Sequence, residues 1–215
     1  FLDPVRFISN PSTGKMGLAL AEAARTMGAR VTVVLGPVGA VDRTGLEVVD
    51  VVSAEEMARE VLSRVREADW FIASAAVSDW RPETRAPQKV KKGETPEVLK
   101  LVRTPDVLAE ASRTVAGSSR RPVLVGFAAE TERVLEHARE KLERKGLDAI
   151  VANDVTVAGA GFGTETNQVT VLTRAGTRRD LSGTKREVAR GILELLLPLA
   201  APPTEPPAPG PSKDA

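Results

Sequence analysis

The chain has no cysteine and no tyrosine, a single histidine, and aromatic residues at only 3% of its 215 positions. Without thiols there is neither a disulfide framework nor a thiolate metal site, and we expect a soluble protein of a reducing, cytoplasmic setting. One histidine, His137, argues against zinc cages and Ser-His-Asp chemistry. The lack of tyrosine removes the Tyr-Lys proton relay that a nicotinamide-dependent dehydrogenase could use. No run of about 18 or more apolar residues and no signal-peptide pattern occurs, so no membrane partner is expected. Charge of one sign is missing as well: 30 Lys and Arg face 29 Asp and Glu. Nucleic acid is therefore not expected as a partner, and any anion site must be local.

What is present is core-forming material, 42% hydrophobic residues, arranged in alternating strand and helix signals. Met16, Leu20, Ala23, Ala24 and Met27 recur at helical spacing after a start that Ser12 or Thr13 can cap. Strands are expected at Arg30 to Leu35 and Leu46 to Val52, then a helix opened by the capping box Ser53-Ala54-Glu55-Glu56 and running to about Ala68. Trp70 to Val77 is a near-continuous apolar run of the kind a buried parallel strand needs. Arg81 to Pro96, rich in Pro, Lys and Arg, breaks the rhythm and reads as a basic flap, with Val98 to Val102 returning as a strand. Thr104-Pro105-Asp106 predicts a helix start with proline first. Strands at Pro122 to Ala129, Asp148 to Ala152 and Gln168 to Thr173 follow, with a charged helix from Thr131 to Lys145 and a glycine-rich loop, Gly159 to Gly163, between them. Thr184-Lys185-Arg186-Glu187 caps a last helix through Leu197. The order predicts an α/β fold: a three-layer, Rossmann-like, mostly parallel sheet with helices on both faces and a basic flap. One domain, 1–197, is expected, followed by a disordered tail at 198–215 that holds seven of the fifteen prolines.

Chemistry is expected at the carboxyl ends of the strands. The stretch Ile8 to Gly17 has the hydroxyls and glycines of a phosphate cradle at a helix start, yet it is neither a Walker A loop nor a G-x-G-x-x-G fingerprint. Asp79-Trp80, Phe127 to Glu130, Asn153-Asp154 and the flap cluster Lys89-Val90-Lys91-Lys92 stand at comparable places. Each has an ordinary reading beside the functional one: capping residues, a core Phe, solvated lysines. A dehydrogenase and a non-catalytic nucleotide-binding module therefore stay open at this point.

Taken together, Asp3 to Asn10 with Ser12 to Gly17, Ala75 to Trp80, Lys89 to Lys92, Gly126 to Thr131, Lys141 to Lys145 and Val151 to Asp154 resemble phosphopantothenoylcysteine synthetase, a ligase family of coenzyme A biosynthesis. The resemblance implies a CTP-dependent union of phosphopantothenate and cysteine through an acyl-cytidylate, giving CMP and pyrophosphate. It assigns Lys89 to the first step and Asn10 to the intermediate. It places CTP among Asp79, Lys89, Pro105, Asp106, Val107, Leu108, Phe127, Lys141 and Lys145. The acyl-phosphate end falls to Asn10, Ser12, Thr13, Gly14, Gly17, Ala75, Ala76 and Asn153. Spacing supports Lys141 and Lys145 independently, because residues four apart share a helix face. Mg2+ is implied by the nucleotide, with the phosphates supplying most ligands. The resemblance also implies a homodimer with the flap near its interface and, in many bacteria, fusion to a flavin-dependent decarboxylase domain. Members carry a strand and a Gly-Thr turn ahead of the segment matching Asp3-Pro4, so a trimmed sheet is expected here.

Overall fold

The computed structural model describes residues 1–91, 98–156 and 163–199. Lys92, most of the glycine-rich loop and residues 200–215 lie outside the described residues. The strands are β1 (Thr32–Leu35), β2 (Glu47–Asp50), β3 (Trp70–Ala73), β4 (Trp80–Pro82), β5 (Leu101–Arg103), β6 (Val123–Glu130), β7 (Ala149–Asp154), β8 (Thr166–Thr173) and β9 (Arg178–Thr184). The helices are α1 (Lys15–Thr26), α2 (Ala54–Leu62), α3 (Val107–Val115), α4 (Val134–Arg144) and α5 (Lys185–Leu196), with a 3-10 turn at Leu197–Leu199. Leu199 still packs against the core, two residues past the expected end of the domain.

The main sheet has the order β3-β6-β7-β8-β9; β3, β6 and β7 run parallel, whereas β8 and β9 are antiparallel additions. Its centre is buried on both faces, and the sequence shows why. In β6, Leu124 faces one hydrophobic cluster and Val125 the other; in β7, Ile150 and Val151 divide in the same way. Continuous Val/Ile/Leu runs are what a strand covered twice requires. Helices α2, α3 and α4 cover one face through Met57, Leu108 and Leu142, and α1 and α5 cover the other through Leu20, Ile192 and Leu196. The three layers predicted from the sequence are therefore present.

Strands β1 and β2 form a separate parallel pair. Among the described residues β1 bonds only to β2, and β3 only to β6. The first turn of α1 spans the carboxyl ends of both: a Cβ on Gly14 would lie 3.2 Å from Val38 and 3.7 Å from Leu35, just past and at the end of β1. One on Gly17 would meet Ser74 Oγ, just past β3, at 2.8 Å. A larger residue at position 17 would require the Ser74 side chain to move aside.

Several boundaries differ from the expectation. Neither Ser12 nor Thr13 caps α1; Gly14 takes that place with φ 73°, a left-handed conformation that glycine adopts without penalty, and no side chain caps the helix. Helix α3 is capped by Asp106, whose side chain accepts from the Ala109 N–H, so Thr104 and Pro105 precede it. Thr104 is used elsewhere: its hydroxyl donates to Ser78 O at 2.5 Å and its N–H to Asp79 O at 3.0 Å. Strands β6 and β7 continue to Glu130 and Asp154, so Glu130, Asn153 and Asp154 stand within strands rather than after them, while Phe127 lies inside β6 as expected. Strand β9 is not expected from the sequence, and β4 overlaps the start of the segment that reads as flap.

Candidate functional site

A series of hydrogen bonds joins most of the residues singled out from sequence. Asn10 lies in the extended arm that precedes α1, and its Nδ2 donates to Ala76 O at 3.1 Å and Val77 O at 3.2 Å. The cradle is thereby tied to the segment leaving β3, which includes Ala75 and Ala76. Two residues on, the Thr104 contacts bind Ser78 and Asp79 to the loop that becomes α3. At the start of that helix, Lys145 Nζ donates to Asp106 at 2.8 Å, and Lys141 Nζ donates to Phe127 O at 2.7 Å. The two lysines do share one face of α4's end, as their spacing predicted. Pro105, Val107 and Leu108 bracket Asp106, with Val107 and Leu108 turned into the core.

Electrostatics set this corner apart. Burial, and then the nearby Lys145 ammonium, hold the Lys141 amine below the ordinary lysine value of 10.5, while Glu130, Asp106 and Asp79 pull the other way. Burial raises the Asp106 carboxyl, but Lys145 and the Ala109 N–H outweigh it and leave the group below its usual range. Lys141, partly buried and bonded to a neutral carbonyl rather than to a carboxylate, is a cation that an anion could meet here.

On the other face, Asn153 lies opposite Ala129 in β6 and Val169 in β8, in alternation with Val151. Its Oδ1 is buried and has no hydrogen-bond partner among the described residues. An orphaned buried acceptor calls for a donor from water or ligand. Phe127 projects to this same face and packs, partly buried, against the cluster that α1 completes. In the cradle, Ser12 Oγ accepts from Gly14 N–H at 3.5 Å, and a Cβ on Gly163 would lie 4.0 Å from Thr13 Cγ2. The Lys15 ammonium turns away and pairs with Glu165.

Lys89 is exposed on the flap. It joins the site through the backbone: its neighbour Val90 is gripped by Asp3 and Arg6 of the same arm that carries Asn10. Sequence reasoning quoted Asp3 and Arg6 within a motif but gave neither a role. The signal was there in an acid followed by proline and, three residues on, an arginine, the pattern of a side chain that folds back on its own backbone. For Mg2+, no group of three acidic or histidine side chains converges among the described residues. Among the acids that act on Lys141, Asp79 is one that no ion pair among the described residues engages.

A largely parallel sheet covered by helices on both faces, whose first helix opens on a glycine beside the ends of β1 and β3, defines the class as a three-layer α/β domain. More particularly, the chain belongs to the family described as DNA/pantothenate metabolism flavoprotein C-terminal domain, whose model matches residues 1–199. It is 44% identical over 197 residues to the coenzyme A biosynthesis bifunctional protein CoaBC of Vibrio cholerae, covering 91% of this chain and 49% of that protein. The Bacillus subtilis protein of the same name is 45% identical over 201 residues, covering 93% of this chain and 48% of that one. The chain thus spans about half the length of the curated relatives it matches. Among solved structures, the C-terminal domain of CoaBC aligns with a TM-score of 0.74 at 37% identity, covering 92% of this chain and 88% of that one.

Proposed function

We propose that this chain is the CTP-dependent ligase that joins phosphopantothenate to cysteine. The observation that carries the reading is a set of contacts on neighbouring segments: Asn10 with Ala76, Thr104 with Asp79, Lys145 with Asp106, and Lys141 with Phe127 O beside Lys145. It holds an amide donor at one end and a partly buried ammonium pair at the other, as a substrate with an acyl end and a nucleotide end requires.

In the first step, a carboxylate oxygen of phosphopantothenate attacks the α-phosphorus of CTP, and the bond to pyrophosphate breaks. Lys89, on the flap, neutralises charge that grows on the phosphate oxygens, while Lys141 and Lys145 hold the nucleotide. In the second step, the cysteine amine attacks the acyl carbon, loses a proton, and CMP leaves with the former carboxylate oxygen. Asn10 holds the acyl-phosphate in place for that attack. Mg2+ would supply charge shielding for the triphosphate, the phosphates providing most of its ligands and Asp79 being the acid that could hold it. The free Asn153 acceptor and the Phe127 face suit the substrate end of the cleft. A cytoplasmic location and native fusion to a flavin-dependent decarboxylase belong to the same proposal, the latter motivated by the bifunctional relatives.

Self-association belongs to it too. Val5, Phe7 and Ile8 on the arm, and Trp80, Val98, Leu99 and Leu101 around the β4-β5 ribbon, are all exposed, Val98 at 96%. Apolar side chains gathered on two adjoining segments suit a homodimer contact beside the flap.

The test is pyrophosphate release from CTP and Mg2+. Release should need phosphopantothenate, and amide should form only once cysteine is added. Lys89→Gln should block release; an undiminished rate sinks its role. Asn10→Asp should keep release and lose amide formation, and normal product would remove Asn10 from the mechanism.

A further inference from the structure

The Asp3 side chain has no exposed surface, although residues 4–11 of the arm that follows it are exposed. It lies beneath Arg6, whose own side chain is 45% exposed. One carboxylate oxygen accepts from the N–H groups of Val5 at 2.8 Å and Arg6 at 2.9 Å. The other accepts from Arg6 Nε at 2.9 Å, from its Nη2, and from the Val90 N–H at 3.3 Å. Arg6 Nη2 also donates to Val90 O at 3.0 Å. The backbone of Val90 is therefore held at both its donor and its acceptor, by a carboxylate and a guanidinium that hold each other.

Further contacts fasten the same two segments. Ala86 N–H donates to Leu2 O at 2.9 Å. The Phe1 and Phe7 rings lie 5.2 Å apart, and the Arg85 guanidinium stands 5.1 Å from the Phe1 ring. A short run of chain thus ties the flap at one end and the strand-end carbonyls of Ala76 and Val77, through Asn10, at the other. Lys89 directly precedes the gripped residue. Enclosing a carboxylate is costly unless every lone pair is used, and here the partners are those that fix the distance between flap and cradle.

We propose that Asp3 is a positioning residue, which sets Lys89 against the Asn10 cradle through Arg6 and the Val90 backbone. This rests on the reading that Lys89 serves the first half-reaction. Asp3→Asn keeps the size and some hydrogen bonding but turns an amide toward donors that need an acceptor. It should lower kcat for phosphopantothenate-dependent pyrophosphate release by about ten- to a hundredfold, the scale of a small misplacement of a reacting group. KM for CTP should change by much less than kcat, because the lysine pair is untouched.

The decisive comparison is a double-mutant cycle with Lys89→Gln, read as pyrophosphate release. If Asp3 acts through Lys89, Asp3→Asn should add no further loss to the Lys89→Gln enzyme. A damaged Lys89→Gln enzyme in which the Asp3→Asn loss is fully additive, or an Asp3→Asn enzyme with undiminished kcat, overturns this assignment alone. An undamaged Lys89→Gln enzyme overturns the reading beneath it as well. Hydrogen exchange on the unmutated chain keeps the assignment testable even if Asp3→Asn fails to fold. The Val90 amide should exchange far more slowly than that of Lys89, and equal open-loop rates at both positions overturn the proposal.

Discussion

Lys141 is in tension between stability and binding. Burial, and next the charge of Lys145, place its folded pKa below its unfolded value near 10.5. The folded state then holds the proton less tightly than the unfolded one. The residue weakens the fold at neutral pH, and that loss is relieved as pH rises through the folded value. Lys141→Met should therefore raise Tm without nucleotide, with a gain of about 0.5–2 kcal/mol. It should also weaken CTP by roughly ten- to a hundredfold, the worth of about 1.5–3 kcal/mol for a hydrogen bond to a charged group. Thermal melts with and without CTP check both parts, and a lowered Tm in the free protein would refute the first. Affinity for CTP should likewise fall as pH rises through the depressed value, because the neutral amine no longer answers the phosphate charge. Asp3 titrates in the opposite sense: its carboxyl is held well below the ordinary 3.8, first by Arg6. The stability it adds is complete above that ordinary value and is lost as pH falls below it.

At the scale of elements, the close approach of β6 to its helix layer is set by Gly126. A Cβ there would lie 2.8 Å from Leu147 and 2.9 Å from Leu108, both buried. Since Leu108 follows Asp106 and Leu147 follows Lys145 by two residues, the clash would part the two ends of that ion pair. Gly126→Ala should cost about 1–3 kcal/mol by overpacking, and it should weaken CTP beyond what the stability loss explains; chemical denaturation and CTP titration check this. The helices and central strands were legible because their signals are local and periodic: the Thr184–Glu187 capping box forms as the sequence implied. Strand β9 was not, because it is an edge strand whose residues are mostly exposed, so no apolar alternation marks it. It is held by backbone pairing to β8, a partner that composition does not reveal. The start of α1 misled for a related reason. Ser and Thr are good caps, but the chain enters the helix in a left-handed conformation close to Val38, which favours glycine at position 14. The lysines of the site were legible by spacing, whereas the Asp3 clasp depends on an encounter between residues 3 and 90 that no local pattern encodes.

For the whole molecule, the exposed apolar residues of arm and ribbon should be covered in solution by a second copy. A contact stable enough to persist buries about 1,200–2,000 Å² in total, and sedimentation velocity should give a dimer. Leu101→Lys should move it toward monomer with little effect on Tm at low concentration; an unchanged dimer would place the contact elsewhere. The same ribbon carries Trp80, with the Arg103 guanidinium 4.8 Å from its ring centre. The only other tryptophan is Trp70 in β3, and there is no tyrosine. Ultraviolet emission from this protein therefore comes from two indoles, one in the sheet and one at the root of the flap. A cation over the Trp80 ring is a neighbour whose departure alters that emission. Stopped-flow fluorescence on the unlabelled chain, with Trp70→Phe to silence the sheet, would time the flap as substrates arrive.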